Sequence, residues 1–163
     1  MRAAEAARWD EPLPARCGRG IAAHYTNGSY AAHVIELEVD SKLGIRFRKV
    51  VVTIDCGLIV NRSGVEAQAE GGTIDALSAA MFGEVTLENG RPKQLNFDRY
   101  RWIRNKEAPA IQVLMIESRE DPTGIGEIPY PPVAPALTNA IFRATGERTR
   151  RLPLSRLGYK SIA

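Results

Sequence analysis

The sequence feature that most limits the fold is the dipeptide Asn27-Gly28, which separates two segments with the composition of β-strands. Both positions of a type I′ turn need positive φ, which Asn and Gly tolerate best. The second segment alternates apolar and acidic residues from position 35 onward, a pattern typical of a strand with one buried face. These features predict an antiparallel hairpin with strands at 19–26 and 29–40.

The remaining elements follow from changes in hydrophobic periodicity. Alternation predicts strands, and apolar residues at three-to-five spacing predict helices. The predicted strands are 45–55, 83–88, 93–98 and 111–117, and the predicted helices are 2–9, 64–81 and 133–145. Hairpins mixed with helical crossovers favour an α+β fold, a two-layer mixed β-sheet with helices packed on one face.

Composition limits the class of protein. The chain has 163 residues, of which 44% are hydrophobic and 25% charged, which fits one globular domain over residues 1–163 and excludes a disordered chain. No apolar run has the length of a membrane span, and the N-terminus lacks the apolar core of a secretory signal. The net charge is only +3, and we expect no nucleic-acid partner despite a basic C-terminal end.

The first candidate site is the motif Gly124-Ile125-Gly126-Glu127. Two glycines allow the backbone to approach a ligand, and the apolar, proline-rich residues that follow would raise the pKa of the Glu127 carboxylate by desolvation. Glu127 would then be a usable general base. In the alternative interpretation the motif is a turn, with a carboxylate that favours the start of the following helix.

The second candidate is the segment Gln68-Ala69-Glu70-Gly71-Gly72, which falls inside a predicted helix. An interior glycine costs about 1 kcal/mol relative to alanine, so a pair of them needs a reason. Close approach of a ligand is one such reason, and tight packing against another segment is the other.

Other reactive residues favour structural roles. Cys17 and Cys56 are far apart and fit reduced thiols, and His24 and His33 fit sheet positions with no third metal ligand at suitable spacing. We therefore expect no metal ligands. The run 96–102 interleaves aromatic and charged residues, so it could line a substrate entrance, contact a partner subunit, or form a strand edge.

A series of short motifs, in this order, resembles one known family. The series is Gly18-Arg19-Gly20-Ile21-Ala22, Gly28-Ser29-Tyr30, Asp55-Cys56-Gly57, Val60-Asn61, Gln68-Ala69-Glu70-Gly71-Gly72, Gly83-Glu84-Val85-Thr86-Leu87, Asn96-Phe97-Asp98, Glu107-Ala108-Pro109, Gly124-Ile125-Gly126-Glu127 and Pro132-Val133-Ala134-Pro135-Ala136-Leu137-Thr138-Asn139-Ala140-Ile141. It resembles the C-terminal part of the molybdenum-binding subunit of the xanthine oxidase/aldehyde oxidase family. Within that family, the series is most similar to isoquinoline 1-oxidoreductase beta subunits.

The resemblance implies a hydroxylase that oxidises an N-heterocycle or an aldehyde with a molybdenum–pterin dinucleotide cofactor. It implies that Glu127 is the catalytic base and that Gln68 lies against the cofactor, with Gly71, Gly72 and Gly126 allowing its close approach. Such subunits are several times longer than this chain, so we expect a fragment that is inactive and without cofactor when alone.

The implied partners are the remainder of the large subunit and an iron–sulfur small subunit, in the cytoplasm or the periplasm. We also expect possible self-association through an apolar face of the helix at 64–81. The alternative function is a non-catalytic interaction or oligomerisation module that retains the fold without the cofactor.

Overall fold

The computed structural model describes residues 2–163. The elements in chain order are α1 (Arg2–Ala6), β1 (Cys17–Thr26), β2 (Ser29–Val39), β3 (Gly44–Asp55), α2 (Arg62–Phe82), β4 (Leu87–Glu88), β5 (Arg91–Pro92), β6 (Ala110–Met115), α3 (Val133–Thr145) and β7 (Lys160–Ser161). A 3₁₀ turn at Leu154–Leu157 precedes β7. In this part of the chain, no helix combines the length and the apolar character needed to cross a bilayer.

The main sheet is mixed, as predicted. Its strand order is β1-β2-β3-β6, and β7 pairs with the beginning of β3. The pairs β1–β2 and β2–β3 are antiparallel, whereas β6 and β7 run parallel to β3. Helix α2 lies in the crossover that connects β3 to its parallel neighbour β6.

The Asn27-Gly28 turn forms as expected and joins long strands, and a second Asn-Gly turn at residues 89 and 90 joins only the short β4 and β5. Asn27 and Gly28 have φ of 51° and 80°, and Asn89 and Gly90 have φ of 51° and 75°. The prediction of strands at 83–88 and 93–98 was wrong, because β4 and β5 contain two residues each and are exposed. A two-stranded ribbon whose residues are all exposed gains too little burial to extend further.

A β-bulge in β3 explains why its apolar pattern changes halfway. Leu37 faces Phe47 and Glu36 faces Lys49, so Arg48 is an additional residue in β3. Because side chains alternate between faces, one additional residue moves the buried set from odd to even positions. The β3 side chains in the main core are Ile45, Phe47, Val50, Val52 and Ile54.

Both faces of the sheet are covered by helices, one face by two long helices and the other by a single short one. The two long helices, α2 and α3, pack on one face and enclose the main core, as predicted. The short α1 lies on the opposite face, where Ala3 and Ala7 pack with Val34 and Val51. The prediction that the helices share one face therefore fails for α1, because β-strand residues that are apolar on both faces need cover on both.

Helix α3 lies directly on β1 because two glycines leave room for its backbone. A Cβ atom at Gly18 would be 2.1 Å from the Ala140 carbonyl oxygen, and one at Gly20 would be 2.0 Å from the Ala136 carbonyl oxygen. Any side chain there would displace the helix. The close contact fixes α3, and with it the loop that precedes α3.

Candidate functional site

One exposed face of α2 presents a glycine pair between two polar side chains. Gln68, Gly71, Gly72 and Asp75 are spaced by three, four and seven residues, so they lie on the same side of the helix. The opposite side carries the buried residues Val65, Ala69, Thr73, Ala76, Leu77 and Met81. The Asn61 side chain caps α2 by accepting a hydrogen bond from the Gly64 N–H at 3.0 Å.

The loop before α3 faces this side of α2, and the two segments line an open cavity of about 570 Å³. The residues that line it are Gln68, Gly71, Gly72, Asp75, Gly126, Glu127, Tyr130 and Pro131. All five residues that the sequence assigned to the site, Gln68, Gly71, Gly72, Gly126 and Glu127, therefore meet in one place. Their chemical roles stay predictions.

Contacts on both sides of Glu127 fix the loop. Upstream, the Ser29 hydroxyl donates to the Gly124 carbonyl oxygen at 2.6 Å, which joins the loop to the β1–β2 hairpin. Downstream, Ile128 and Pro129 are buried, and Pro129 carbons lie 3.4 Å or more from the position that a Gly72 Cβ would occupy. The Glu127 backbone is thus held against α2 by its neighbours.

The Glu127 side chain itself is exposed. Ile128 and Pro129 turn into the core, so they do not cover the carboxylate in the way the sequence suggested. Within residues 2–163 the Glu127 side chain has no hydrogen-bond or ion-pair partner, and the same holds for the Asp75 carboxylate. Two carboxylates without partners therefore face the same cavity.

Asp75 and Tyr130 are cavity residues that the sequence analysis did not assign. The pKa of the Tyr130 phenol is raised above its ordinary value, mainly by burial and then by the nearby Asp75 carboxylate and Tyr100. Tyr130 is therefore a protonated hydrogen-bond donor at neutral pH. The spacing of Asp75 from Gln68 and the glycine pair on a predicted helix was the signal that could have identified it.

A buried histidine supports α2 behind the glycine pair. Thr73 Oγ1 donates to the Ala69 carbonyl oxygen at 2.6 Å, so it accepts from His33 Nε2, which lies 3.0 Å away. His33 Nδ1 is buried and has no partner in the described residues. Burial lowers the pKa of His33 to about 3, so the imidazole is neutral and structural, as the sequence favoured.

The other reactive residues lie outside the cavity. Cys17 and Cys56 are buried free thiols, and burial, followed by Asp55, raises the pKa of Cys56. This agrees with a structural rather than nucleophilic role.

His24 lines a separate surface groove beside Tyr25 and Tyr30. No cluster of three or more His, Cys, Asp or Glu side chains suited to a metal ion occurs in residues 2–163.

The aromatic run at 96–102 is irregular, so its interpretation as a strand edge was wrong. Trp102 contacts both Phe97 and Tyr100 edge to face, with ring centroids 6.1 and 6.5 Å apart, and Arg101 stacks on Phe82 at 3.9 Å. Tyr100 also contributes to the raised pKa of the Tyr130 phenol, although no residue of the run lines the cavity.

The exposed side of α2 does not carry the apolar patch expected for self-association. Its exposed residues include Glu66, Gln68 and Glu70, together with small residues. The apolar side chains of the helix are buried in the chain's own core. The prediction of self-association through an exposed apolar face of this helix was therefore wrong.

Comparison with known proteins assigns the chain to a family. The family model of the molybdopterin cofactor-binding domain matches residues 3–109. The chain is 35% identical over 148 residues to a nicotinate dehydrogenase subunit of Pseudomonas putida, covering 85% of the chain and 12% of that protein. It is 30% identical over 140 residues to the isoquinoline 1-oxidoreductase beta subunit of Brevundimonas diminuta, covering 84% of the chain and 18% of that protein.

A third relative is the membrane-bound aldehyde dehydrogenase [pyrroloquinoline-quinone] of Gluconacetobacter polyoxogenes, which is 34% identical over 74% of the chain and 16% of its own length. The chain thus spans less than a fifth of each of these relatives.

Solved structures share the fold. Aldehyde oxidoreductase from Desulfovibrio desulfuricans superposes with a TM-score of 0.67 at 25% identity, over 77% of this chain and 14% of that one. Quinoline 2-oxidoreductase from Pseudomonas putida gives 0.66 at 22% identity, over 72% of this chain and 16% of that one. The chain belongs to the molybdopterin cofactor-binding domain family found in the molybdenum-binding subunits of the xanthine oxidase family.

Proposed function

We propose that residues 1–163 form a single C-terminal cofactor-binding domain of a molybdenum hydroxylase, in which Glu127 is the general base. Gln68, Gly71, Gly72 and Gly126 would contact the molybdenum–pterin dinucleotide. The observation that carries this proposal is the shared cavity, since residues more than fifty positions apart in the sequence line it together.

Two glycines in the cavity wall leave backbone surface free for a ligand. Cβ atoms at Gly71 and Gly126 would meet nothing within 4 Å, so both glycines leave open backbone surface. The Gln68 amide is exposed and has no hydrogen-bond partner in residues 2–163, so it can donate to an oxygen or nitrogen of the cofactor. When bound, the molybdenum cofactor supplies the oxidising centre that accepts two electrons from the substrate.

The carboxylate of Glu127 would accept a proton during the reaction. It has no cationic partner in residues 2–163, and its side chain is exposed to water in this chain. A general base acts best at low hydration and with a pKa near the working pH. We infer that the remainder of the large subunit covers the cavity and provides that environment, with electrons leaving through an iron–sulfur small subunit.

The relatives support an N-heterocycle or an aldehyde as substrate, because their names refer to nicotinate, isoquinoline and aldehyde. Asp75 and Tyr130 offer one acceptor and one donor to such a molecule beside Glu127. The complete enzyme would act in the cytoplasm or the periplasm.

The test is Glu127→Gln in the longer enzyme that contains this chain. Glutamine is nearly isosteric but accepts no proton at working pH, so turnover should fall by about 10²–10⁴-fold. Molybdenum content and melting temperature, measured on the same preparation, should stay unchanged. Glu66→Gln is the matched control, because Glu66 is exposed on α2 outside the cavity.

Near-normal turnover of Glu127→Gln would reject the catalytic assignment and leave the motif as a turn. A longer protein that contains no molybdenum at all would instead favour a non-catalytic module with the same fold.

A further inference from the structure

Strand β6 forms one edge of the main sheet. It ends the strand order, and no strand in the part of the chain that the structure describes pairs with its outer side. Its sequence, Ala-Ile-Gln-Val-Leu-Met, contains no charged residue and no proline. Natural proteins usually protect such an edge with lysine, proline or a covering segment.

The backbone of β6 presents an alternating row of free groups. The Ile116 N–H donates to the Ile54 carbonyl oxygen at 2.8 Å, and this direction alternates along a strand. The N–H groups of Gln112 and Leu114 therefore face β3. Those of Ile111, Val113 and Met115 face outward, where another strand can pair with them.

We propose that β6 pairs antiparallel with β6 of a second copy of this chain, across a twofold axis near Val113. A twofold interface uses the same surface on both copies, so it must be self-complementary. An uncharged strand meets this requirement because no like charges face each other across the pair. This inference is independent of the proposed function.

The charges beside the strand favour the same arrangement. Arg104 and Lys106 are exposed before β6. After it, Glu117 pairs with Arg62, and the exposed Arg119, Glu120 and Asp121 that follow leave a net negative charge. In an antiparallel pair, the basic flank of one copy lies at the same end as the acidic flank of the other. The side chains of Lys106 and Glu120 have no partner in residues 2–163, so both are available for this contact.

The experiment is light scattering on the isolated chain from micromolar to millimolar concentration, with the variant Gln112→Lys. Gln112 is exposed, so lysine there leaves the core intact. It also places like charges on diagonal positions of the pair, so the dimer dissociation constant should rise by about tenfold or more. Ser41→Lys adds the same charge at an exposed turn away from β6 and should leave the dissociation constant unchanged.

Amide hydrogen exchange tests the strand pairing directly. On raising the concentration, the amides of Ile111, Val113 and Met115 should become protected, whereas those of Gln112 and Leu114 should be protected at every concentration. A chain that stays monomeric up to millimolar concentration would overturn the proposal. A dimer that Gln112→Lys does not weaken, or one without this alternation, would overturn it equally.

Discussion

At the level of single residues, Gly71 lies inside α2 with open space where its side chain would be. Folding alone gives no reason for glycine there, because alanine is favoured in a helix interior by about 1 kcal/mol. We predict that Gly71→Ala raises the free energy of unfolding of the isolated chain by about that amount, as measured by urea denaturation. In the longer enzyme the same substitution should lower molybdenum content, because the new methyl group enters the cavity.

Gly72→Ala is the comparison for Gly71→Ala. Its Cβ would lie 3.4 Å from Pro129, so the gain in stability should be smaller. A destabilising effect of Gly71→Ala in the isolated chain would contradict the view that only a ligand requires glycine at this position.

His33 should make the chain sensitive to acid. The unfolded chain protonates this histidine near pH 6.5, whereas the folded chain does so only near pH 3. Between these values the unfolded state binds more protons, so the free energy of unfolding decreases as the pH falls, by up to about 1.4 kcal/mol per pH unit. Above pH 6.5 His33 contributes no pH dependence.

Urea denaturation at several pH values, compared between the native chain and His33→Gln, measures this contribution. Glutamine offers an amide donor to Thr73 but does not titrate, so the slope below pH 6.5 should become shallower. Equal slopes for the native chain and His33→Gln would refute the prediction.

At the level of elements, the position of α3 depends on the glycines of β1. A Cβ at residue 20 would lie 2.0 Å from the Ala136 carbonyl oxygen, so Gly20→Ala must shift the helix or the strand. We predict a loss of about 2–3 kcal/mol in the free energy of unfolding. Gly126→Ala, whose Cβ would meet nothing within 4 Å, should change stability by less than about 0.5 kcal/mol.

Helix α3 also fixes the loop that carries Glu127, so a shift of α3 should move Glu127 relative to the other cavity residues. In the longer enzyme, Gly20→Ala is therefore expected to reduce turnover although residue 20 does not line the cavity. A fully stable Gly20→Ala variant would show that the contact between β1 and α3 adapts more easily than the geometry implies.

At the level of the whole molecule, the cavity is open because only two segments of the chain form it. Large anionic cofactors are held by several converging segments that also exclude water. We predict that the isolated chain, produced in cells that make the cofactor, contains no molybdenum and hydroxylates no aldehyde or N-heterocycle. Metal analysis and turnover assays check this, and production together with the remainder of the large subunit is the control. Stoichiometric molybdenum in the isolated chain would contradict it.

The sequence by itself determined the first hairpin, helix α3, the mixed sheet and the family of this protein. The Asn27-Gly28 turn set the first hairpin, because few residues tolerate its backbone angles. Hydrophobic periodicity placed α3 at Val133–Thr145, and the mixed sheet followed from hairpins and one helical crossover. The ordered motifs identified the family, and they named five residues that the fold brings to one cavity. The turn, helix α3 and each single motif depend on residues close together in the sequence.

Contacts between distant segments decided the features of the fold and of the cavity that the sequence did not predict. The bulge at Arg48, the pairing of β7 with β3, and the packing of α1 on the second face depend on neighbours far away in the chain. The same is true of the Glu127 side chain, which is exposed because Ile128 and Pro129 fill the core and leave nothing over the carboxylate. Periodicity reports which residues are buried, but only the packed structure determines which surfaces meet and which stay open to water.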